Sequence, residues 1–243
     1  MGVENSTVVV VGGSSGVGLA TARLAAERGA RVVIGGRDPA RLEAALTDLP
    51  EGVRGIAVDA SDVGSLSAFY DAVGPFEHLI IAASGGRGAG PLASLAEDDL
   101  RTGFEAKFWV QWRAAKTALG RIAAGGSITF VTAASSRASN PGTSGLAAVN
   151  GAIAAMVGPL SRELAPVRVN AVSPGVIDTP WWDGQDPKMK AAFFEQSART
   201  LPVGRVGQPR DVAEALLYVA GNGFTTGVVL DVDGGLRHLN AGG

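Results

Sequence analysis

A glycine-rich turn is the first feature of this sequence that could do chemistry. It reads Gly12-Gly13-Ser14-Ser15-Gly16-Val17-Gly18, directly after a short apolar run and directly before a helical pattern. Glycines at such a place let the chain turn tightly and bring backbone N–H groups close to a pyrophosphate, and the helix N-terminus adds partial positive charge. Such a turn can also be purely structural. The candidate phosphate-binding residues are Gly12, Ser14, Ser15, Gly16, Val17 and Gly18.

Arg37 lies 19 residues after Gly18, close to the end of the next apolar run. In a dinucleotide site this position contacts the ribose 2′ group. An acidic residue there binds the free hydroxyl of NAD, whereas an arginine suits the 2′-phosphate of NADP. A solvated arginine at the end of a strand is the alternative. If the turn binds a dinucleotide, the sequence therefore predicts NADPH as the cofactor.

Seven short apolar runs alternate with helical patterns, and these elements must position the residues above. Parallel strands need crossover helices, so the alternation predicts a parallel sheet with helices on both faces. No linker or repeat divides the chain, and we predict one α/β domain over residues 1–243, a Rossmann-type doubly wound sheet of about seven parallel strands. The runs are Thr7 to Val11, Arg31 to Ile34, Gly55 to Val58, His78 to Ala82, Ser127 to Thr132, Arg168 to Val172 and Val228 to Val232.

The composition argues against several classes of protein. The 243 residues include 46% hydrophobic residues, no Cys and two His, and the formal net charge is −2. These values predict a cytoplasmic protein whose partner is a small-molecule substrate and which binds neither nucleic acid nor membrane. No metal site is predicted, because His78 and His238 are far apart in sequence and Cys ligands are missing. No stretch is expected to approach the roughly 18 apolar residues of a membrane span.

Residues 180–207 contain no predicted strand but hold four aromatic side chains among polar ones. A long excursion with its own aromatics is often a lid or a pocket wall. The same side chains could simply pack the segment onto the rest of the domain. The four are Trp181, Trp182, Phe193 and Phe194.

Together with the glycine-rich turn, four further segments resemble motifs of the short-chain dehydrogenase/reductase family. They are Val58-Asp59-Ala60, Ala82-Ala83-Ser84-Gly85, Arg168 to Pro180 and Val232-Asp233-Gly234-Gly235. The resemblance covers nearly the whole chain, although Val11 stands where the family usually has Thr and both Asn of its Asn-Asn-Ala-Gly motif are replaced. It implies further cofactor contacts by Asp59 and Ala60 at the adenine, by Ala83 and Gly85, and by Ile177 and Thr179 at the nicotinamide amide and the phosphates.

The same resemblance implies that all four positions of the family's catalytic tetrad are replaced. The family uses a Ser, a Tyr-x-x-x-Lys helix and an Asn on the preceding central helix. Ala133 and Leu146 have no proton to give to a carbonyl oxygen, so an acid would have to come from elsewhere. Neither Tyr70 nor Tyr218 is an evident substitute. The Ser position is occupied by Ala133, the Tyr position by Leu146, the Lys position by Asn150 and the Asn position by Lys107.

Lys107 and Asn150 stand as if the Asn and Lys of the family had been exchanged. Lys107 follows Phe104 by three residues on an apolar stripe, which predicts a buried amine that holds the nicotinamide ribose or delivers a proton. The amine could instead reach solvent along its stem. Ser135, two residues after Ala133 and so on the same side of an extended chain, is a candidate for binding a carbonyl oxygen or is a turn serine. The predicted catalytic residues are Lys107, Ser135 and Asn150.

These features favour an atypical NADPH-dependent oxidoreductase that acts on a small hydrophobic carbonyl, imine or activated alkene without a Ser-Tyr-Lys site. A non-catalytic NADP(H)-binding sensor or scaffold protein is the alternative, and it explains the missing Ser, Tyr and Lys most simply. Non-redox chemistry on the same fold is a third and less favoured alternative, because a protein that does not bind the cofactor would have no role for Arg37. The helices that carry Lys107 and Leu146 resemble those through which family members associate, which implies a homodimer or homotetramer.

Overall fold

The computed structural model describes residues 2–239, so Met1 and residues 240–243 of the predicted domain lie outside the described residues. Its strands are β1 (Thr7–Val11), β2 (Arg31–Gly36), β3 (Arg54–Ala57), β4 (Phe76–Ile81), β5 (Ile122–Val131), β6 (Arg168–Pro174) and β7 (Val229–Val232). They form one sheet in the order β3-β2-β1-β4-β5-β6-β7, and every neighbouring pair is parallel. The predicted seven-stranded Rossmann-type α/β fold is confirmed.

Helices cover both faces of this sheet. They are α1 (Gly16–Glu27), α2 (Pro39–Thr47), α3 (Val63–Val73), α4 (Glu97–Gly103), α5 (Val110–Ala118), α6 (Ser144–Glu163), α7 (Pro187–Thr200) and α8 (Pro209–Gly221). Alternate side chains of β1 point to opposite faces: Val8 and Val10 pack with α1, α2 and α8, whereas Val9 and Val11 pack with α3, α5 and α6. Because the sheet is buried on both faces, its strands appear in the sequence as continuous apolar runs.

Between α4 and α5 the chain continues through a π-helical turn, Phe104–Trp109. A π turn adds a residue to the helical repeat and is frequent at functional sites. Lys107 lies within it. The sequence pattern predicts an ordinary helix here, so the local geometry differs from the prediction although the inward position of Lys107 is the same.

Helix α6 corrects one expectation of the sequence analysis. It is long and apolar enough to cross a membrane by length and composition alone, with a mean hydropathy of 1.3 over its best window. The expectation that no stretch approaches this length was therefore wrong. In the fold its buried side chains Val149, Ile153 and Val157 face the interior, and the helix packs against β6. A core helix of a globular fold has the same length and composition.

Candidate functional site

A cleft of about 770 Å³ lies at the carboxyl ends of the strands. β1 pairs with both β2 and β4, and the chain runs outward in opposite directions from this point. Open α/β sheets bind ligands in the crevice at such a switch point. All sixteen residues that the sequence analysis assigned to cofactor binding or catalysis line this cleft.

The glycine-rich turn is built so that no side chain fits at its close contacts. A Cβ on Gly12, whose φ is +85°, would lie 2.5 Å from the backbone nitrogen of Ala83, and a Cβ on Gly18 would lie 2.0 Å from the carbonyl oxygen of Gly12. α1 begins at Gly16, and its N-cap residue Ser15 makes no side-chain capping bond. The first turn of α1 also has no acidic residue. The N–H groups of this helix terminus therefore face the cleft without a carboxylate or a capping oxygen from these positions.

Two arginines line the end of the cleft beside β2, together with Asp38 and Asp59. Arg37 is exposed and follows β2 directly, and Arg41 lines the same end from α2. Hydrogen bonds from the hydroxyl and the backbone N–H of Ser61, at 2.7 and 2.9 Å, hold the pKa of Asp59 below its usual value, and Arg37 adds a smaller electrostatic effect. The sequence analysis missed Arg41, although its spacing of four residues from Arg37 is a usable signal.

The two tryptophans of the 180–207 segment both line the cleft, so both form part of the pocket wall. Trp181 is 47% exposed and lies opposite Gly86. Trp182 also packs against Phe193 and Phe194 of the same segment, with ring centroids 5.1 and 5.6 Å away. Its Nε1 donates to the carbonyl of Ile177 at 2.8 Å, which ties the segment to the rest of the domain. Both interpretations of the segment therefore apply to Trp182.

Lys107 is 8% exposed and its amine turns inward rather than to solvent. Its Nζ donates to the carbonyl oxygen of Thr132 at 3.1 Å, just beyond the end of β5. Burial alone lowers the pKa of this amine to about 8. Among residues 2–239 no carboxylate forms an ion pair with it. The cleft thus contains a desolvated lysine whose only hydrogen-bond partner within the described part of the chain is a backbone carbonyl.

A second set of hydrogen bonds joins Thr132 to Asn150 and Ser135. The Asn150 Nδ2 donates to Ser135 Oγ at 3.2 Å and to the carbonyl of Leu146 at 2.9 Å, and Thr132 Oγ1 donates to the Asn150 carbonyl at 2.8 Å. The Oδ1 of Asn150 is buried and has no hydrogen-bond partner. Ser135 belongs to a 3₁₀ turn, Ala134–Ser136, so the argument from an extended chain was wrong, although Ser135 does line the cleft.

Gln111 is a buried polar residue that the sequence analysis missed. It follows Lys107 by four residues, and its Nε2 donates to the Val131 carbonyl at 2.9 Å. Lys107 and Gln111 therefore bind consecutive carbonyl groups at the end of β5, which ties the π-helical turn to the sheet. A polar residue next along the apolar stripe is the sequence signal for this contact.

Neither tyrosine lies in the cleft. Tyr70 is fully buried and its hydroxyl donates to the Ala114 carbonyl at 2.9 Å, whereas Tyr218 is exposed on α8 and lines a separate groove. Over the described part of the chain, no group of three or more His, Asp or Glu side chains could hold a metal ion.

The chain matches, over residues 11–237, a family model described as enoyl-(acyl carrier protein) reductase. A short-chain dehydrogenase/reductase of Stachybotrys chlorohalonatus is 30% identical over 253 residues, which cover 96% of this chain and 97% of that protein. The chain belongs to the short-chain dehydrogenase/reductase family. Its cleft is therefore in the position at which an oxidoreductase of this family works, at the switch point of the sheet.

Solved structures of short-chain dehydrogenase/reductase members share this fold. A small-chain dehydrogenase in complex with NADPH is 32% identical, with a TM-score of 0.82, and the match covers 97% of this chain and 100% of that one. An NADPH-bound short-chain oxidoreductase from Pseudomonas aeruginosa PAO1, described as containing an atypical catalytic center, is 28% identical with a TM-score of 0.85, over 95% and 96% of the two chains.

Proposed function

We propose that this chain is an atypical NADPH-dependent oxidoreductase that reduces a small hydrophobic carbonyl, imine or activated alkene. The observation that carries the proposal is the buried amine of Lys107, which lines the cleft together with the unreactive side chains of Ala133 and Leu146. In the family pattern, these last two positions hold the Ser and Tyr that bind and protonate the substrate oxygen. The P. aeruginosa relative with an atypical catalytic center supports such a departure within this family.

The residues of the cleft fit NADPH. The close backbone contacts at Gly12 and Gly18 hold the turn in its tight conformation, and the uncapped N-terminus of α1 suits a pyrophosphate. Arg37 and Arg41 provide two guanidinium groups for a 2′-phosphate. Asp59 would hold the adenine, and Ile177 and Thr179 would hold the nicotinamide end. When bound there, NADPH supplies a hydride.

Lys107 is the group that can supply the proton. An ammonium group with a pKa of about 8 is mostly protonated at neutral pH and is more acidic than an ordinary lysine, which suits a general acid. Ser135 offers a hydroxyl to hold the substrate oxygen, and Asn150 orients that hydroxyl through the hydrogen bond from its Nδ2. The remaining wall near Lys107 includes Leu146 and Trp181, which favours an apolar substrate.

The test is a titration of the purified protein with NADPH and NADH by fluorescence, followed by absorbance assays with ketones, quinones, imines and enones. The proposal expects tighter binding of NADPH, loss of this preference in Arg37→Asp, and consumption of NADPH by at least one substrate. Turnover should fall by about 10² or more in Lys107→Ala, which removes the acid, and should be unchanged in Lys188→Ala, an exposed lysine outside the cleft.

The alternative function is a non-catalytic NADP(H)-binding sensor or scaffold, favoured by the absence of a hydroxyl group at Ala133 and Leu146. Tight NADPH binding with no turnover across the panel would establish it. Full turnover in Lys107→Ala would refute the role of the amine. Equal binding of NADH would refute the role of Arg37.

A further inference from the structure

We propose that Lys107 is also a nucleophile, which captures aldehydes and unhindered ketones in the cleft as an imine. This capture requires no cofactor, so it is a separate activity of the same cleft and does not depend on reduction. The proposal joins three observations: the place of Lys107 in the cleft lining, the lack of an ionic partner for its amine among residues 2–239, and the Ser135 hydroxyl in the same lining.

The first two observations concern the surroundings of Nζ. The residue lines the 770 Å³ cleft although it is only 8% exposed, so its side chain lies at the cleft wall and is largely shielded from bulk water. Its one hydrogen bond within the described residues, to the Thr132 carbonyl, uses a single N–H. A neutral amine keeps that bond and still has a lone pair for attack. A carboxylate partner, which would hold the amine in its protonated form, is missing over residues 2–239.

The protonation state favours attack at ordinary pH. With its pKa lowered by burial to about 8, roughly a quarter of this amine is neutral at pH 7.5, compared with about one in a thousand for an ordinary lysine. Only the neutral form attacks a carbonyl carbon. Desolvation in an apolar pocket is the usual way in which proteins activate an imine-forming lysine.

The reaction balances without a redox partner. The Nζ lone pair forms a bond to the carbonyl carbon as the C–O π bond breaks, and the proton that the nitrogen loses passes to the oxygen to give a carbinolamine. A solvent proton then joins the hydroxyl, the C–O bond breaks with loss of water, and the nitrogen lone pair forms the second C–N bond of the protonated imine. Hydrolysis reverses both steps.

The Ser135 hydroxyl can handle the oxygen atom that enters and leaves. Ser135 lines the same cleft as Lys107. Its Oγ accepts a hydrogen bond from Asn150 Nδ2 and has its own hydrogen to donate to the carbinolamine oxygen. Asn150 thereby orients the hydroxyl.

The experiment traps the imine in the wild-type protein without NADPH. Hexanal below one equivalent is added with sodium cyanoborohydride, which reduces an imine to a stable secondary amine, and the adduct is located by peptide mapping with mass spectrometry. The chain has only four lysines, Lys107, Lys116, Lys188 and Lys190, so each site can be quantified. We expect at least tenfold more label on Lys107 than on the exposed Lys116 and Lys188, and labelling of Lys107 that increases with pH around 8.

Label distributed over the exposed lysines, with little on Lys107, would overturn the proposal. Lys107→Arg keeps a cation at this place but cannot form the imine, and we expect it to lose the adduct at 107 while Lys116 is labelled as before. If this variant fails to fold, the wild-type map still decides the question. The trapping reaction contains no NADPH, so the two proposals can fail separately. Hexanal trapped on Lys107 with no oxidation of NADPH in the absorbance assays would refute only the reductase. Oxidation of NADPH with no hexanal trapped on Lys107 would refute only the imine formation.

Discussion

Replacing Lys107 by Met should stabilise the protein while it abolishes the proposed chemistry. Met has a similar length and no charge, so it fills the same space in the π-helical turn. At pH 7 the wild-type amine is mostly protonated in the folded state although its pKa is only about 8 there, compared with 10.5 in the unfolded chain. This difference of 2.5 pKa units disfavours folding by about 3 kcal/mol at 1.36 kcal/mol per unit.

The hydrogen bond from Lys107 to the Thr132 carbonyl stabilises the wild-type protein by about 1 kcal/mol, and the Met variant loses it. This loss offsets part of the gain of about 3 kcal/mol from the pKa difference, so we expect Lys107→Met to raise the free energy of unfolding at pH 7 by about 2 kcal/mol. For a chain of this size that corresponds to an increase in Tm of about 4–8 °C. The measurement is thermal unfolding at a fixed scan rate, with urea unfolding for the free energy. Lys188→Met, at an exposed position, is the matched control and should change little.

The pH dependence separates this explanation from a simple packing effect. The folded-state pKa of Lys107 lies below the unfolded-state value, so the unfolded chain binds more protons between about pH 8 and 10.5, and wild-type stability rises relative to the variant across that window. The advantage of Lys107→Met should therefore vanish by about pH 10.5. A variant that is less stable than wild type at pH 7, or an advantage that does not depend on pH, would refute the assignment of a desolvated ammonium group.

Two further predictions concern Gly18 in the glycine-rich turn and the buried His78 of β4. Gly18→Ala should abolish NADPH binding and lower the Tm, because its Cβ would lie 2.0 Å from the Gly12 carbonyl oxygen; binding like that of wild type in a fluorescence titration would contradict the packing of the turn. Burial and Arg168 lower the pKa of His78 to about 4, from 6.5. The unfolded chain therefore binds this proton first as the pH falls, and wild type should lose about 3 kcal/mol relative to His78→Asn between pH 6.5 and 4, measured by urea unfolding.

The sheet could be predicted from the sequence because its strands are buried on both faces and therefore appear as uninterrupted apolar runs. The difference at β5 shows the limit of that signal. The structure begins this strand at Ile122, five residues before the predicted Ser127. The hydropathy pattern missed residues 122–126 because Gly125 and Gly126 interrupt the apolar run. The register with β4 shifts at this place, and such an irregularity leaves little trace in a hydropathy pattern.

The candidate site could be predicted where a residue's position along the chain determines its place in the fold. The glycine-rich turn and Arg37 follow strands directly, and the carboxyl ends of parallel strands meet at one edge. Ser135 shows the opposite case. Its place in the cleft depends on a 3₁₀ turn and on the Asn150 amide from another helix, and neither contact is visible in spacing. Likewise, the sequence pattern placed Lys107 on the inward face by assuming about 3.6 residues per turn. The residue does face inward, but it lies in a π-helical turn with a different helical repeat.

Burial alone does not distinguish a functional titratable group from a structural one in this fold. His78 is buried too, and its pKa is lowered, but its Nδ1 lies 2.9 Å from Ser127 Oγ, and that serine in turn donates to the Ala220 carbonyl at 3.3 Å. This chain of contacts fixes α8 against β4 and β5 and lies outside the cleft. Lys107 differs in that its amine makes one bond to a backbone carbonyl and faces an open cleft. A fold that needed only stability at this position would be better served by an apolar side chain, and this cost in stability is what we expect where a residue serves the proposed chemistry.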